Sequence, residues 1–187
     1  SSAASDVYKR QRQNVLKELS GLGNDEIMQR LFTPERLAEL GGWRALSEEK
    51  EAIYRELYEP LIRPTAGLLD FLEALRREGI ACAVGSSAEM RNIRFVFEKC
   101  GIESYFQTVV SSEQVTRCKP DPEIYRRVRE KLGCRFEELI FVDDKPKNTK
   151  AAAELGIHAV TFNPQSIIGD IRKIISPQKM PHQTKSR

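Results

Sequence analysis

Two adjacent carboxylates, Asp143 and Asp144, close an apolar run in "LIFVDDKPKN". Like charges side by side repel unless a cation lies between them or both face water. Two other stretches bear on what they do. "AVGSS" puts the hydroxyls of Ser86 and Ser87 at the end of another apolar run. "TRCKPDPEIY" holds Lys119 in a loop stiffened by Pro120 and Pro122. Hydroxyls, one lysine and two carboxylates suit phosphoryl chemistry. A phosphate monoester is a dianion, and hydroxyls with backbone N–H groups at a helix start can hold its oxygens. A lysine can neutralise the charge that spreads over the transferring group. Paired carboxylates can hold Mg²⁺, which takes oxygen ligands and retains waters and substrate phosphate. Each stretch also has a plainer role. Ser86 and Ser87 could cap a helix, Lys119 could be a surface lysine in a turn, and the two aspartates could cap a helix starting near Lys145. Singly each motif is weak; their order at successive strand ends favours the chemical role.

The elements that must position these groups follow from periodicity. "IACAV", between Gly79 and Gly85, is too short for a buried helix and reads as a strand buried on both faces. "QTVVSS", "LIFVDD" and "HAVTF" read the same way. Amphipathic helices alternate with them: "PTAGLLDFLEALRREG", "AEMRNIRFVFEKCG", "PEIYRRVREKLG" and "KNTKAAAELG". In "PEIYRRVREKLG" the spacing puts Pro122 at the first helical position, with Asp121 as N-cap. Strand–helix alternation predicts a parallel α/β sheet with right-handed crossovers. Ligands of such a sheet bind beyond the carboxyl ends of its strands, which is where the hydroxyls, Lys119 and the aspartates fall.

Residues 14–62 read as a separate, all-helical unit. "NVLKELSG" stops at Gly21, and "NDEIMQRLF" starts on Asn24 as N-cap. "TPERLAEL" has Thr33 as N-cap and Pro34 at the first helical position, and "SEEKEAIYRELY" starts at Ser47. Residues 63–175 then form the α/β core, ending in the helix "SIIGDIRKII", and 176–187 read as a disordered tail. Residues 1–13 show no apolar period, and "SDVYKRQ" looks like translated adapter sequence; they are read as non-native or disordered.

Composition narrows the function classes. A formal net charge of +3, from basic residues scattered among acids, gives no footprint for nucleic acid. No apolar run approaches a membrane span, and no signal-peptide core is present, so a cytoplasmic protein is expected. Four widely spaced cysteines, Cys82 among them in an apolar run as a buried thiol, argue against disulfides or zinc. Two distant histidines leave little material for a His-based site. The oligomeric state is not legible.

Together, "AVGSS", "CKPDPEIY" and "IFVDDKPKNTKAAAELGIHAVTF" resemble the second, third and fourth motifs of the haloacid dehalogenase-like hydrolase superfamily, in order, from about Pro64 to Phe162. The helical unit is similar to the cap of the β-phosphoglucomutase-like phosphatase branch. The resemblance implies a three-layer, Rossmann-like parallel sheet flanked by helices, with a small all-helical cap. It implies that Ser86, with Ser87 beside it, binds the phosphoryl group and that Lys119 stabilises its charge. Asp144 would be the direct Mg²⁺ ligand, Asp143 would bind the metal or one of its waters, and Asn148 would brace the loop. Asn24, a candidate substrate- or phosphate-binding residue, stands where the mutase has a phosphate-gripping arginine, which favours a phosphatase over a mutase. The family's first motif is a strand ending in D-x-D, whose first aspartate is the nucleophile. No D-x-D occurs before residue 60, and Asp6 is the sole acid ahead of the cap. The sequence therefore reads as lacking the family's central first strand, by truncation rather than natural loss, with the gap between "LIFVDD" and "AVGSS". The implied function is a Mg²⁺-dependent phosphatase of small phosphorylated metabolites such as sugar phosphates, acting through an aspartyl-phosphate whose nucleophile is absent here. The alternatives are a β-phosphoglucomutase-like mutase and a non-catalytic phosphate-binding or interaction module. A dehalogenase fits less well, since dehalogenases need no metal and the paired acids argue for one.

Overall fold

The structure is a computed structural model that describes residues 19, 22–167 and 171. Residues 1–13, most of the helix expected around "NVLKELSG", most of "SIIGDIRKII" and the tail lie outside them.

The helical unit includes α1 (Asn24–Leu31), α2 (Pro34–Glu39) and α3 (Trp43–Tyr58). α2 has the expected cap. The Thr33 hydroxyl accepts from the Arg36 N–H at 3.3 Å, and Pro34 occupies the first turn, where its missing N–H costs nothing. Gly41 and Gly42 then turn the chain at φ +84° and +92°, a conformation that side chains with a Cβ rarely adopt. Two boundaries differ from the sequence reading. Gly23, not Asn24, caps α1, and the Asn24 Nδ2 donates to Glu89 instead. α3 begins at Trp43, directly after the glycine turn, so Ser47 lies inside the helix, 2% exposed, with a hydroxyl that has no partner among the described residues.

The α/β part runs α4 (Leu68–Arg77), β1 (Cys82–Gly85), α5 (Met90–Cys100), β2 (Phe106–Val110), α6 (Glu123–Leu132), β3 (Ile140–Asp143), α7 (Pro146–Ala153) and β4 (His158–Thr161). Its strands alternate with helices as expected, and the pairs are parallel. One apolar cluster joins Val110 of β2, Ile124 and Tyr125 of α6, Ala152 of α7 and Ile157. A second joins Leu72 of α4 to Ile93 and Phe97 of α5 and to Ile102. Burying each valine, isoleucine, leucine or phenylalanine among them stabilises by roughly 1.5–3 kcal/mol. α6 is the central support. Its Ile124 is 1% exposed, and Gly85 lets it approach β1: a Cβ there would lie 3.3 Å from Val128 and 3.5 Å from Ile124.

The strands form two separate pairs, β1–β2 and β3–β4, rather than one four-stranded sheet. Among the described residues, nothing pairs with the second edge of β1 or of β3. An apolar cavity of about 390 Å³ lies between them, bounded by β1, β3, α4 and α6. The cavity accounts for a difference in burial. β1, read as buried on both faces, is half-buried throughout, and Cys82 with it, because one flank borders the cavity.

Candidate active site

The carboxyl ends of β1 and β3 meet one loop. That loop leads into α6 and carries Cys118 and Lys119. Asp121 ends it: its Oδ1 accepts the Glu123 N–H at 3.0 Å, so the helix starts one residue later than expected, with Pro122 at the cap position. The Lys119–Pro120 peptide is cis. Lys119 Nζ donates to Asp143 Oδ2 at 2.7 Å and lies 5.5 Å from the centre of the Phe141 ring. The Phe141 ring is in turn held edge-on by Tyr125. Lysine and carboxylate are 13% and 7% exposed at their side chains, so this is a buried pair.

The other oxygen of Asp143 is also taken. Oδ1 accepts from the Lys145 N–H and from Asn148 Nδ2, each at 2.9 Å. Burial alone would raise the Asp143 carboxyl, but the Lys119 ammonium, the Lys145 N–H and the Asn148 amide outweigh it and hold it below its ordinary value. Burial and the negative charge of Asp143 push the Tyr125 phenol up to about 12, and its hydroxyl donates to the Asn148 carbonyl at 3.0 Å. Asn148 is thus a brace, held through its Nδ2 and its backbone carbonyl, with a buried Oδ1 that has no partner among the described residues. Asp144 differs from its neighbour. It is exposed and accepts no hydrogen bond from the described residues.

At β1, the Ser86 N–H donates to Val110 O at 2.9 Å, and its hydroxyl accepts from the Ala88 N–H at 3.1 Å. This is a local turn rather than a helix cap: α5 starts later, and Glu113 takes the N–H of Met90 at 2.8 Å. The Ser86 hydroxyl keeps its own proton to donate. Ser87 lies beside Cys118, whose thiol burial pushes up.

Ser86 and Ser87 also line a cleft of about 590 Å³ between the helical unit and the α/β part. Asn24, Lys50, Glu51 and Tyr54 form its opposite wall. Lys119 and the aspartates are not in its lining. Hydrogen bonds tie the walls together. Asn24 donates to Glu89 at 2.7 Å, and buried Asn92 accepts from Arg55 at 2.6 Å while donating to Glu51. Burial would raise the Glu51 carboxyl, but the bonds from Lys50, Asn92 and Asn24 hold it down. The sequence reading did not single out Lys50, Glu51, Tyr54, Glu89 or Asn92. Lys50 and Tyr54 sit four apart on α3, the spacing of one helix face, which was the available signal.

The donor set fits Mg²⁺. Among the described residues no cluster of three or more histidine, cysteine or acidic side chains could hold a metal. Mg²⁺ needs only one or two carboxylates besides water and phosphate. Asp144 is uncommitted and exposed, and Asp143 is fixed next to it.

A parallel α/β frame, with a lysine–aspartate pair and serines at its strand ends, defines the class. The chain belongs to the haloacid dehalogenase-like hydrolase family, whose profile matches residues 2–162. It is 29% identical over 117 residues to a phosphorylated carbohydrates phosphatase of Thermotoga maritima, covering 63% of this chain and 52% of that one. It is 23% identical over 189 residues to a pyrophosphatase, PpaX, of Oceanobacillus iheyensis, covering 91% of this chain and 88% of that one. The chain thus spans about half the length of the Thermotoga relative. Its fold is similar to that of β-phosphoglucomutase from Clostridium difficile (TM-score 0.65, 19% identity, 83% of this chain and 72% of that one). It is also similar to CbbY from Rhodobacter sphaeroides, solved in complex with phosphate (TM-score 0.63, 21% identity, 80% and 69%). Among the described residues no helix is long and apolar enough to cross a membrane.

Proposed function

We propose that this chain carries the phosphate- and metal-binding half of a Mg²⁺-dependent phosphatase acting on small phosphorylated metabolites. The observation that carries the proposal is the buried Lys119–Asp143 pair at the strand ends, with Asp144 exposed beside it. Bound Mg²⁺ would neutralise the phosphoryl dianion and polarise its oxygens. Asp144 would hold it directly, with Asp143 fixing the approach. Ser86 donates its hydroxyl proton to a phosphoryl oxygen. Lys119 spends one of its three donors on Asp143, which leaves two for the transferring group. Cleft residues facing the serines, Asn24, Lys50 and Tyr54, would contact the organic part of the substrate. The phosphatase names of the Thermotoga and Oceanobacillus relatives support the reaction class. The phosphate bound to CbbY supports the ligand.

Asn24 is committed to Glu89 and brings no cation, so the cleft has nothing at that position to grip a second phosphate; this favours a phosphatase over a mutase. The sequence contains no D-x-D ahead of the cap, so the chain alone supplies no recognisable nucleophile. With p-nitrophenyl phosphate and Mg²⁺, the purified chain should show no turnover above background while binding inorganic phosphate. Turnover that disappears in Lys119→Ala would place a nucleophile within the chain. Absence of phosphate binding would count against the site itself.

A further inference from the structure

Tyr125 joins the two segments that carry the charged groups of the site. It lies on α6, directly after the loop that holds Lys119, and is 3% exposed. Its ring meets Phe141 edge-on, with centroids 5.0 Å apart, and the Lys119 ammonium lies 5.5 Å from the centre of the same Phe141 ring. Its hydroxyl reaches the other partner of the pair. It donates to the backbone carbonyl of Asn148 at 3.0 Å, and Asn148 Nδ2 donates to Asp143 Oδ1. The second donor to that oxygen, the Lys145 N–H, belongs to the same turn, which the Asn148 N–H closes on Lys145 O at 2.9 Å. α7 has eight residues, and a helix that short does not hold itself in water. Its first turn therefore depends on contacts from outside, and the Tyr125 hydroxyl is one of them. A buried phenol needs an acceptor in any fold. Here the acceptor is the backbone of the residue whose side chain orients Asp143, one position before exposed Asp144.

We propose that Tyr125 is a positioning residue for the metal and phosphate site. Its hydroxyl holds the first turn of α7 so that the Asn148 amide stays on Asp143, and Asp143 and Asp144 keep the placement that Mg²⁺ requires. Tyr125 acts through Asn148. Outer-shell partners orient metal ligands in this way, and their loss costs roughly 10–100-fold in metal affinity. The role rests on the phosphatase reading for its ligands, but the hydrogen bonds that carry it stand in the chain without them.

The test is Tyr125→Phe, which keeps the ring against Phe141 and removes only the hydroxyl. Titration of inorganic phosphate with and without Mg²⁺ gives the factor by which the metal tightens phosphate. In the variant that factor should fall about threefold or more, less than the loss of a direct outer-shell partner would give. Phosphate affinity without Mg²⁺ should stay unchanged, because Lys119 and Phe141 are undisturbed. A role confined to packing would lower the melting temperature and leave the factor alone. Asn148→Ala removes the amide but keeps the backbone carbonyl. It should lower the factor at least as far, and Tyr125→Phe should then add nothing to it. A third measurement needs neither ligand. Solvent exchange of the Asn148 side-chain amide, assigned by its loss in Asn148→Ala, should be about tenfold faster in Tyr125→Phe. Unchanged amide exchange would overturn the proposal whatever the ligands do. So would faster exchange with an unchanged Mg²⁺ factor, or a full effect of Tyr125→Phe on top of Asn148→Ala. A wild type in which Mg²⁺ does not tighten phosphate, with amide exchange still faster in Tyr125→Phe, would overturn the phosphatase reading while upholding the hold of Tyr125 on Asn148.

Discussion

Lys119→Met should lower the stability of the folded chain by about 3 kcal/mol at pH 7, at the low end of the cost of breaking a buried ion pair. The substitution keeps an apolar stem and removes the ammonium, which lies 5.5 Å from the centre of the Phe141 ring. What remains is a carboxylate 7% exposed, still served by the Lys145 N–H and Asn148 but without its counter-charge. The effect should depend on pH, and its sign follows from the wild type. There the folded Asp143 carboxyl sits below its ordinary value of 3.8. It contributes stability that is fully present above that value and is lost as pH falls through the lower folded one. In the variant the main lowering influence is gone and burial dominates, so the carboxyl rises. Protonation then relieves the unpaired charge, and the deficit against wild type should shrink as pH falls below about 5. Denaturant unfolding of both proteins from pH 7 down to pH 4 checks this. A deficit under about 1 kcal/mol, constant across that range, would show that the pair does not hold the strand end.

The second large effect separates the two aspartates. Asp144→Asn should weaken Mg²⁺-dependent phosphate binding by about tenfold or more, equivalent to about 1.4 kcal/mol, and leave the melting temperature unchanged. Asp144 is exposed and serves no described contact, so removing its charge disturbs no packing. It is nonetheless, with Asp143, one of the two carboxylates at the end of β3 proposed to hold the metal. Asp143→Asn should instead lose stability and binding together, because Asp143 is bonded by Lys119, Lys145 and Asn148. Calorimetric titration of phosphate at fixed Mg²⁺, beside a melt of each variant, distinguishes the two roles. Unchanged binding in Asp144→Asn would remove it from the metal site.

Elements whose causes are local were legible in the residues. β1 shows as a short apolar run between glycines, and the start of α2 as Thr33-Pro34. The order of strands and helices, and the grouping of serines, Lys119 and aspartates at strand ends, followed from those runs. What was not legible depends on partners distant in sequence. Asn24 has the chemistry of a helix cap, yet its amide bonds Glu89, 65 residues away. Ser47 looks like a helix start, yet the glycine turn lets α3 begin at Trp43. The commitment of both Asp143 oxygens arises from three separate segments meeting, which no spacing displays. Likewise, an apolar run marks a strand but does not say which edge is paired, so the division into two strand pairs shows only in the fold. The bond across the cleft from Asn92 to Glu51 belongs to the same kind of fact.

The central claim is that the strand ends bind phosphate and Mg²⁺ as one linked site. Titrating inorganic phosphate into the chain at neutral pH, with and without Mg²⁺, tests it directly. Linkage requires each ligand to tighten the other by the same factor, predicted here to be about tenfold or more. Phosphate affinity identical in the presence and absence of Mg²⁺ would contradict the account.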